Sequence, residues 1–461
     1  MAATFGVRLG QRHVDARAIE LRQGYAIEAL ATGLNYPTSI AWDGDGHVLV
    51  AESAVPFGQT TETEIRVVRL SDQGPPETVL GRLPHLVNDI AVHEGVLYVS
   101  LQGRIAIAES SRLRDVITGL PSWGLHENNA LAFGPDERLY FGQGSTSNAG
   151  VIDAYAIERL QRNNRLGERD IPGRDVVLTG ANYDSGDLAG RDVRRTGAFV
   201  PWGRETTAGE RVEGVRPGRA ASGAIMSAEL DGSDLRVFAW GFRNPFGLAF
   251  APSGRLYVAN NGANRVPPRL IHADPDTIWA VDGGGWYGWP DFYAGYPVTE
   301  PVFTPPAAAR NVFLVANHDE LLQGRERPPA PVVGLGLHVA PCKFDFCRSR
   351  GFGGLGQAFV PEFGAILSPP ERLVPQPTVG RRVVQVDVDH GTVADLAVNR
   401  DRLPASQTGS GGLERPIQAR FGPDGALYVV DFGPLELAEQ GWEAPPGGGV
   451  IWRIRPTVQG A

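Results

Sequence analysis

LHENNALAFGPDERLYFGQGS (125–145), FRNPFGLAFAPSGRLYVANNG (242–262) and LERPIQARFGPDGALYVVDFG (413–433) are three copies of one unit. Each has a polar or Pro-containing lead-in, an apolar run ending in Phe, a Pro/Asp/Ser/Gly turn and an LYV-type run. Two apolar runs around such a turn predict a β-hairpin. The same unit is visible as LNYPTSIAWDGDGHVLVAESA (34–54) and LPHLVNDIAVHEGVLYVSLQG (83–103), and more loosely from Leu337 to Gly364, ending GQAFVPEFG. A further strand follows most copies: EIRVVRL (64–70), GRIAIAE (103–109), GAIMSAEL (223–230), DTIWAVD (276–282), RRVVQVDV (381–388) and GVIWRIR (449–455). RVFAWG (236–241) and VADLAVN (393–399) read as fourth strands. Four strands per unit and six units predict an all-β fold, a six-bladed β-propeller. YAIEALATG (25–33) precedes the first copy as RVFAWG precedes the fourth, so it should be the outer strand of the blade finished by GVIWRIR. One blade shared by both chain ends closes the ring and removes free edges. The expected organisation is an N-terminal extension at 1–24, one propeller domain at 25–456 and a short tail at 457–461. Segments 146–222 and 283–336 do not repeat and read as long loops on one face, where function concentrates on a rigid scaffold.

Composition fits this reading. Gly (59) and Pro (36) make about a fifth of the 461 residues, without a collagen period, which implies many tight turns. The net charge of −9 and the lack of a Lys/Arg-rich run argue against a nucleic-acid partner. No apolar run approaches the length of a membrane span, and the N-terminal stretch does not read as a signal peptide. Cys342 and Cys347 have no accompanying ligand pairs for zinc and read as free thiols or one local disulfide.

Aligning the repeats puts Asn35, His85, His126, Arg243 and Glu414 at one lead-in position. Asn244 and Arg415 follow one residue later, and His338 belongs to the looser copy. Such a ring of polar groups at a channel mouth suits a small polar ligand. Satisfying backbone amides in tight turns is the alternative role for each residue. The ends of the LYV strands (Gln102, Gly144-Ser145, Asn260-Asn261-Gly262, Asp431-Phe432-Gly433) form a second ring, rich in small residues that permit close backbone approach.

Taken together, GFRNPFGLAF (241–250), LYVANNG (256–262), GGGWYGWPDFYAG (283–295) and the copies at 126–145 and 414–433 resemble the glucose/sorbosone dehydrogenase family. That family is related to soluble sugar dehydrogenases using pyrroloquinoline quinone (PQQ), and the resemblance runs from about Leu34 to Arg455. It implies a dehydrogenase that oxidises a hydroxyl of an aldose or polyol, with PQQ and Ca²⁺ as cofactors and a separate electron acceptor. His126 matches the family's catalytic base and Arg243 the arginine that polarises the quinone oxygens. Asn244, Arg415, Asp431, Arg382 and Gln102 fall at or near cofactor-contacting positions. Gly262 and Ala263 match residues whose backbone carbonyls bind Ca²⁺, a hard ion suited to oxygen ligands. The chain departs from the pattern at Ile417, where a second carboxylate-pairing arginine is expected, and at GAILSPP (364–370), where relatives carry an aromatic–Asn–Arg turn. The resemblance also implies export to the periplasm or the cell exterior.

Two other functions fit the same residues. His85, His126, His338 and Glu414 could converge on a divalent ion and make a metal-dependent hydrolase or lactonase. Alternatively, the aromatic run WYGWPDFYAGY (286–296) could present a surface for a glycan or protein.

Overall fold

A computed structural model describes residues 12–55, 63–71, 74–365, 379–438 and 441–457. Six antiparallel sheets are arranged so that their inner strands touch in chain order, and the last touches the first. The first two blades are local in sequence: Pro37–Trp42, Val48–Glu52, Arg66–Arg69 and Glu77–Leu80, then Val87–His93, Val96–Leu101, Arg104–Glu109 and Arg112–Thr118. The third pairs Asn128–Phe133 and Leu139–Gln143 with Ala224–Ala228 and Arg236–Trp240, after the first long excursion. The fourth comprises Asn244–Phe250, Leu256–Asn261, Asp276–Val281 and Val333–Gly336, with the second excursion before its last strand.

The fifth blade has Asp345–Phe346, Ala358–Glu362, Arg382–Asp387 and Thr392–Asn399. It also carries a fifth strand, Ile19–Leu21, in register with Ala397–Asn399. The stretch 1–24 expected outside the propeller therefore contributes an edge strand. Pro416–Phe421, Leu427–Asp431 and Gly449–Pro456 form the last blade, whose outer strand is Tyr25–Leu34, paired from Tyr25↔Pro456 to Leu34↔Gly449. The two chain ends close one blade as the sequence predicts.

Middle strands read as apolar runs because both faces are covered by neighbouring blades. Ala224–Ala228 is buried at every position, and Trp452 is fully buried between the fifth and sixth blades.

The inner hairpins share a distortion that shapes the site. Register slips by one residue at Pro37/Ser39, Val87/Asp89, Asn128/Leu131, Pro245/Gly247 and Pro416/Gln418, the same place in five blades. A bulge leaves one residue outside the ladder and re-aims its side chain. The extruded residues include Thr38, Asn88, Asn129, Phe246 and Ile417, and all five line one cavity on the axis.

The excursions 146–222 and 283–336 are more than loops. They contain two helices, Ala154–Arg162 and His318–Leu322, several two-to-five-residue strands and a shared apolar core. Leu178 bridges to Val315 across them. Arg269, fully buried, donates to the carbonyls of Ala149, Pro290 and Val312 and pairs with Asp291 at 3.1 Å. Asp291 also accepts from the amides of Leu314 and Val315 and binds His318. This ion pair ties both excursions to the fourth blade. The aromatic run at 286–296 packs inward: Trp286, Tyr287, Trp289, Phe292 and Tyr293 are buried, and Tyr296 is its exposed ring. It therefore offers no aromatic surface of the kind considered for glycan binding.

Candidate active site

The bulge residues form the floor of a cavity of about 280 Å³ at one mouth of the channel. Its walls come from the lead-in turns and from the first excursion, and His126, Arg243, Asn148, Asp153, Gly262 and His338 are among them.

His126 is fixed through one ring nitrogen. Its Nδ1 lies 3.0 Å from the Ser145 carbonyl, and the Ser145 amide donates to the Arg243 carbonyl at 2.8 Å. A carbonyl cannot donate, so Nδ1 carries the hydrogen and Nε2 keeps its lone pair. Burial, and next the Arg243 cation, hold this imidazole well below its ordinary pKa. The close approach depends on Gly144: a Cβ there would lie 2.3 Å from the His126 Cβ and 2.9 Å from the Asn244 Oδ1.

Arg243 is buried, and among the described residues no carboxylate forms an ion pair with it. Its Nε donates to Asn148 Oδ1 at 3.1 Å and its Nη1 approaches the Asn261 carbonyl at 3.4 Å. Burial lowers its pKa, while Asp274, Asp276 and Asp153 oppose that shift from a distance. Asn244 is held by Asn129 and Asn261, at 3.0 and 2.9 Å. Its amide and that of Arg243 both donate to Asn260 Oδ1. The lead-in of the fourth blade is thus immobilised by asparagines from three segments.

Gly262 and Ala263 turn their amides onto Asp276 and Asp274, at 2.7 and 2.6 Å. In a trans peptide the carbonyl opposes the next residue's N–H, so the Gly262 carbonyl points away from Asp274. Gly262 lines the cavity and Ala263 is buried behind it. Burial pushes Asp274 up to about 7 and also raises Asp276 and Asp153.

Several predicted residues lie elsewhere. Asp431 is fully buried and accepts from the amides of Glu414 and Arg415 and from Trp452 Nε1, and it pairs with Arg12. It is a structural hub of the sixth blade. Replacing it, Asp431→Ala, should cost about 3–5 kcal/mol by leaving the buried Arg12 charge unpaired. Urea denaturation checks this. Arg415 packs on the Phe363 ring and donates to backbone carbonyls, including that of Leu435 at 2.9 Å. Arg382 sits on a middle strand and pairs with Glu362 and Asp395, both at 2.7 Å. Gln102 donates to the Ser122 carbonyl. None of these four is a cavity-lining residue.

The four-residue metal set is not assembled. His126 and His338 line the cavity, but His85 packs edge-on against Trp123 and Glu414 binds Ser406. Among the described residues, the side-chain groups close enough to share an ion are Asp43, Asp45, His47 and His93, Glu94, Glu137. Cys342 and Cys347 are both buried and unbridged. The GAILSPP departure lies largely outside the described residues. Sequence reading missed Asn148, Asp153 and Asp276, because the first two lie in the non-repeating excursion and Asp276 opens a middle strand that gave no polar signal.

No protein-family model matches the chain. Among curated proteins it is similar to quinoprotein glucose dehydrogenase B of Acinetobacter calcoaceticus, 21% identical over 304 residues. That match spans 58% of this chain and about half, 53%, of the relative. Similar solved structures include a carbohydrate-active enzyme of family AA12 from Trichoderma reesei (TM-score 0.58, 15% identity, 97% of this chain and 100% of that one). The holo PQQ domain of a pyranose dehydrogenase from Coprinopsis cinerea aligns with TM-score 0.57 and 16% identity over 95% of this chain and 97% of that one. A PQQ-bound aldose sugar dehydrogenase from Streptomyces coelicolor gives 0.51 and 16% over 95% and 99%. The propeller expectation is borne out, and so is the resemblance to quinoprotein sugar dehydrogenases read from the repeats.

Proposed function

We propose that this chain is a PQQ- and Ca²⁺-dependent dehydrogenase that oxidises a hydroxyl of a sugar or polyol. One observation carries the reading: a neutral imidazole, His126, with Nδ1 committed to the Ser145 carbonyl, lines a cavity beside a buried guanidinium, Arg243, that forms no ion pair among the described residues. A fixed cation with no ion-pair partner among the described residues suits electron-rich quinone oxygens. The reactive end of PQQ therefore fits these residues. The Gly262 carbonyl, with Ala263 behind it, offers oxygen donors of the kind Ca²⁺ takes.

PQQ, when bound, supplies the hydride acceptor. The chain's own residues do the rest. His126 Nε2 accepts the proton of the substrate hydroxyl, and the Ser145 carbonyl keeps the tautomer that makes this possible. Arg243 stabilises negative charge that develops opposite the base. Asn244 and Asn148 hold the geometry, and the apolar floor of Phe246 and Ile417 keeps water out from below. The similar proteins named above for PQQ, glucose or aldose sugars support this substrate class. Electrons leave to a separate acceptor, and the protein acts outside the cytoplasm. No helix among the described residues is long and apolar enough to cross a membrane.

Reconstitution with PQQ and Ca²⁺, followed by dye reduction with a panel of aldoses and polyols, tests the proposal. Sugar-dependent reduction is expected, and none with any hydroxyl substrate would overturn it. The same assay gives a pH prediction. His126 must be neutral to act, and its pKa lies below the usual 6.5. The acid limb of kcat/KM should therefore have its midpoint below pH 6.5, displaced to the acid side of an ordinary imidazole.

A further inference from the structure

The chain contains 43 basic residues, and one of them, Lys343, is a lysine. A lysine ammonium is a compact point charge that, unlike a guanidinium, shifts its pKa readily when buried. Lys343 occupies a singular position. In the repeat it aligns with Ser39, Asp89, Ala130, Gly247 and Gln418, the residues just after the bulges. Its backbone pairs beside Gln418, with its amide on the Ile417 carbonyl. It is 3% exposed.

The ammonium reaches across the axis to the first two blades, donating to the carbonyls of Thr38 at 2.7 Å and Asn88 at 2.5 Å. Both are bulge residues of the cavity floor, as is Phe246, whose ring centroid is 5.6 Å from Nζ. No carboxylate forms an ion pair with it among the described residues. The charged and titratable groups facing it are Asp89 from the second blade, Arg420 from the sixth and its chain neighbour Cys342. Asp89 is engaged by Gln418 and by the Leu131 amide. A positive charge thus lies directly beneath the floor, beside the Ile417 position where the chain lacks an arginine.

Resting on the quinone reading above, we propose that Lys343 is the positioning cation for a planar polycarboxylate in this cavity, attracting it from below the floor without touching the reacting atoms. Burial places the free ammonium's pKa at about 8. A bound polyanion must raise that value, because it favours the charged form.

A sole lysine gives a direct readout. In protein labelled with [ε-13C]lysine, one signal reports Lys343, and its pH titration can be followed free and ligand-saturated. With PQQ and Ca²⁺ the midpoint should rise by about one pH unit, equivalent to roughly tenfold tighter binding to the charged form. Bound PQQ with an unmoved midpoint overturns the proposal. Benzene-1,3,5-tricarboxylate is the second probe. If PQQ does not bind but this tricarboxylate binds and raises the midpoint, the quinone reading fails while the cation's role stands. If neither binds, or the tricarboxylate binds without moving the midpoint, the role fails as well. As an independent check, Lys343→Met should weaken PQQ about tenfold at pH 6.5, and the ratio to wild type should shrink towards one by pH 9.5. A ratio that does not change with pH would assign Lys343 to packing alone.

Discussion

Replacing His126 with Asn should lower kcat of the PQQ- and Ca²⁺-loaded protein by roughly 10²–10⁴-fold, the usual worth of a positioned general base. Nδ1 is already committed to the Ser145 carbonyl, so Nε2 is the ring's free basic atom. An Asn side chain can keep a donor towards Ser145, but its remaining oxygen is far too weak a base to take a hydroxyl proton at neutral pH. PQQ affinity should change little, because the cations beneath and beside the cavity remain. The measurement pairs steady-state dye reduction with cofactor absorbance, so that loading and turnover are read separately. Turnover within twofold of wild type would place the base elsewhere.

Arg243→Met should be the second large effect, and it should act on both binding and rate. The guanidinium is the cation that acts most strongly on the base, and it opposes three buried carboxylates, Asp153, Asp274 and Asp276. Without it the cavity turns electronegative and repels a polyanion. Loss of one preorganised charge at the reacting end is worth about 10²–10³-fold in kcat, and PQQ affinity should fall in parallel. Arg243→Lys should recover little, because an ammonium cannot bond Asn148 and the Asn261 carbonyl while still presenting a planar fork. The carboxylates left behind would take up protons, so the variant's residual affinity should improve towards lower pH. Fluorescence titration at pH 5.5 and 8 would show this. Unchanged affinity at both pH values would remove Arg243 from the cofactor site.

The blades were legible because the repeats carry the same turn chemistry between apolar runs, so alignment gave the inner and middle strands and the closure by Tyr25–Leu34. The outer strands Glu77–Leu80, Arg112–Thr118 and Val333–Gly336 carry no repeat signal, and the last of them lies inside the stretch read as a loop. The inner ring was harder. Aligning lead-in residues gathered His85, His126, Arg243 and Glu414, but bulges rotate the chain within three residues. The floor is therefore built from Thr38, Asn88, Asn129, Phe246 and Ile417 instead. A one-residue slip has no composition signal, so of these positions Ile417 stood out only through the family resemblance and the others looked like ordinary strand interior. His126 and Arg243 reach the cavity because Ser145 and Asn148 pull their turns inward. His85 and Glu414 have local partners in Trp123 and Ser406 and stay outside. Asp431 and Arg415 illustrate the same limit: a polar residue at a strand end reads alike whether it meets a ligand or a neighbouring turn. Lys343 is the sole lysine of the sequence and went unremarked among its repeats; only the strand pairing places it on the axis.

The most direct test of the central claim is a titration of metal-stripped protein with PQQ, with and without Ca²⁺, following the cofactor's absorbance and then adding an aldose. The account predicts saturable, Ca²⁺-strengthened binding with one PQQ per chain and sugar-dependent bleaching. Absence of binding at micromolar PQQ in the presence of Ca²⁺ would contradict it.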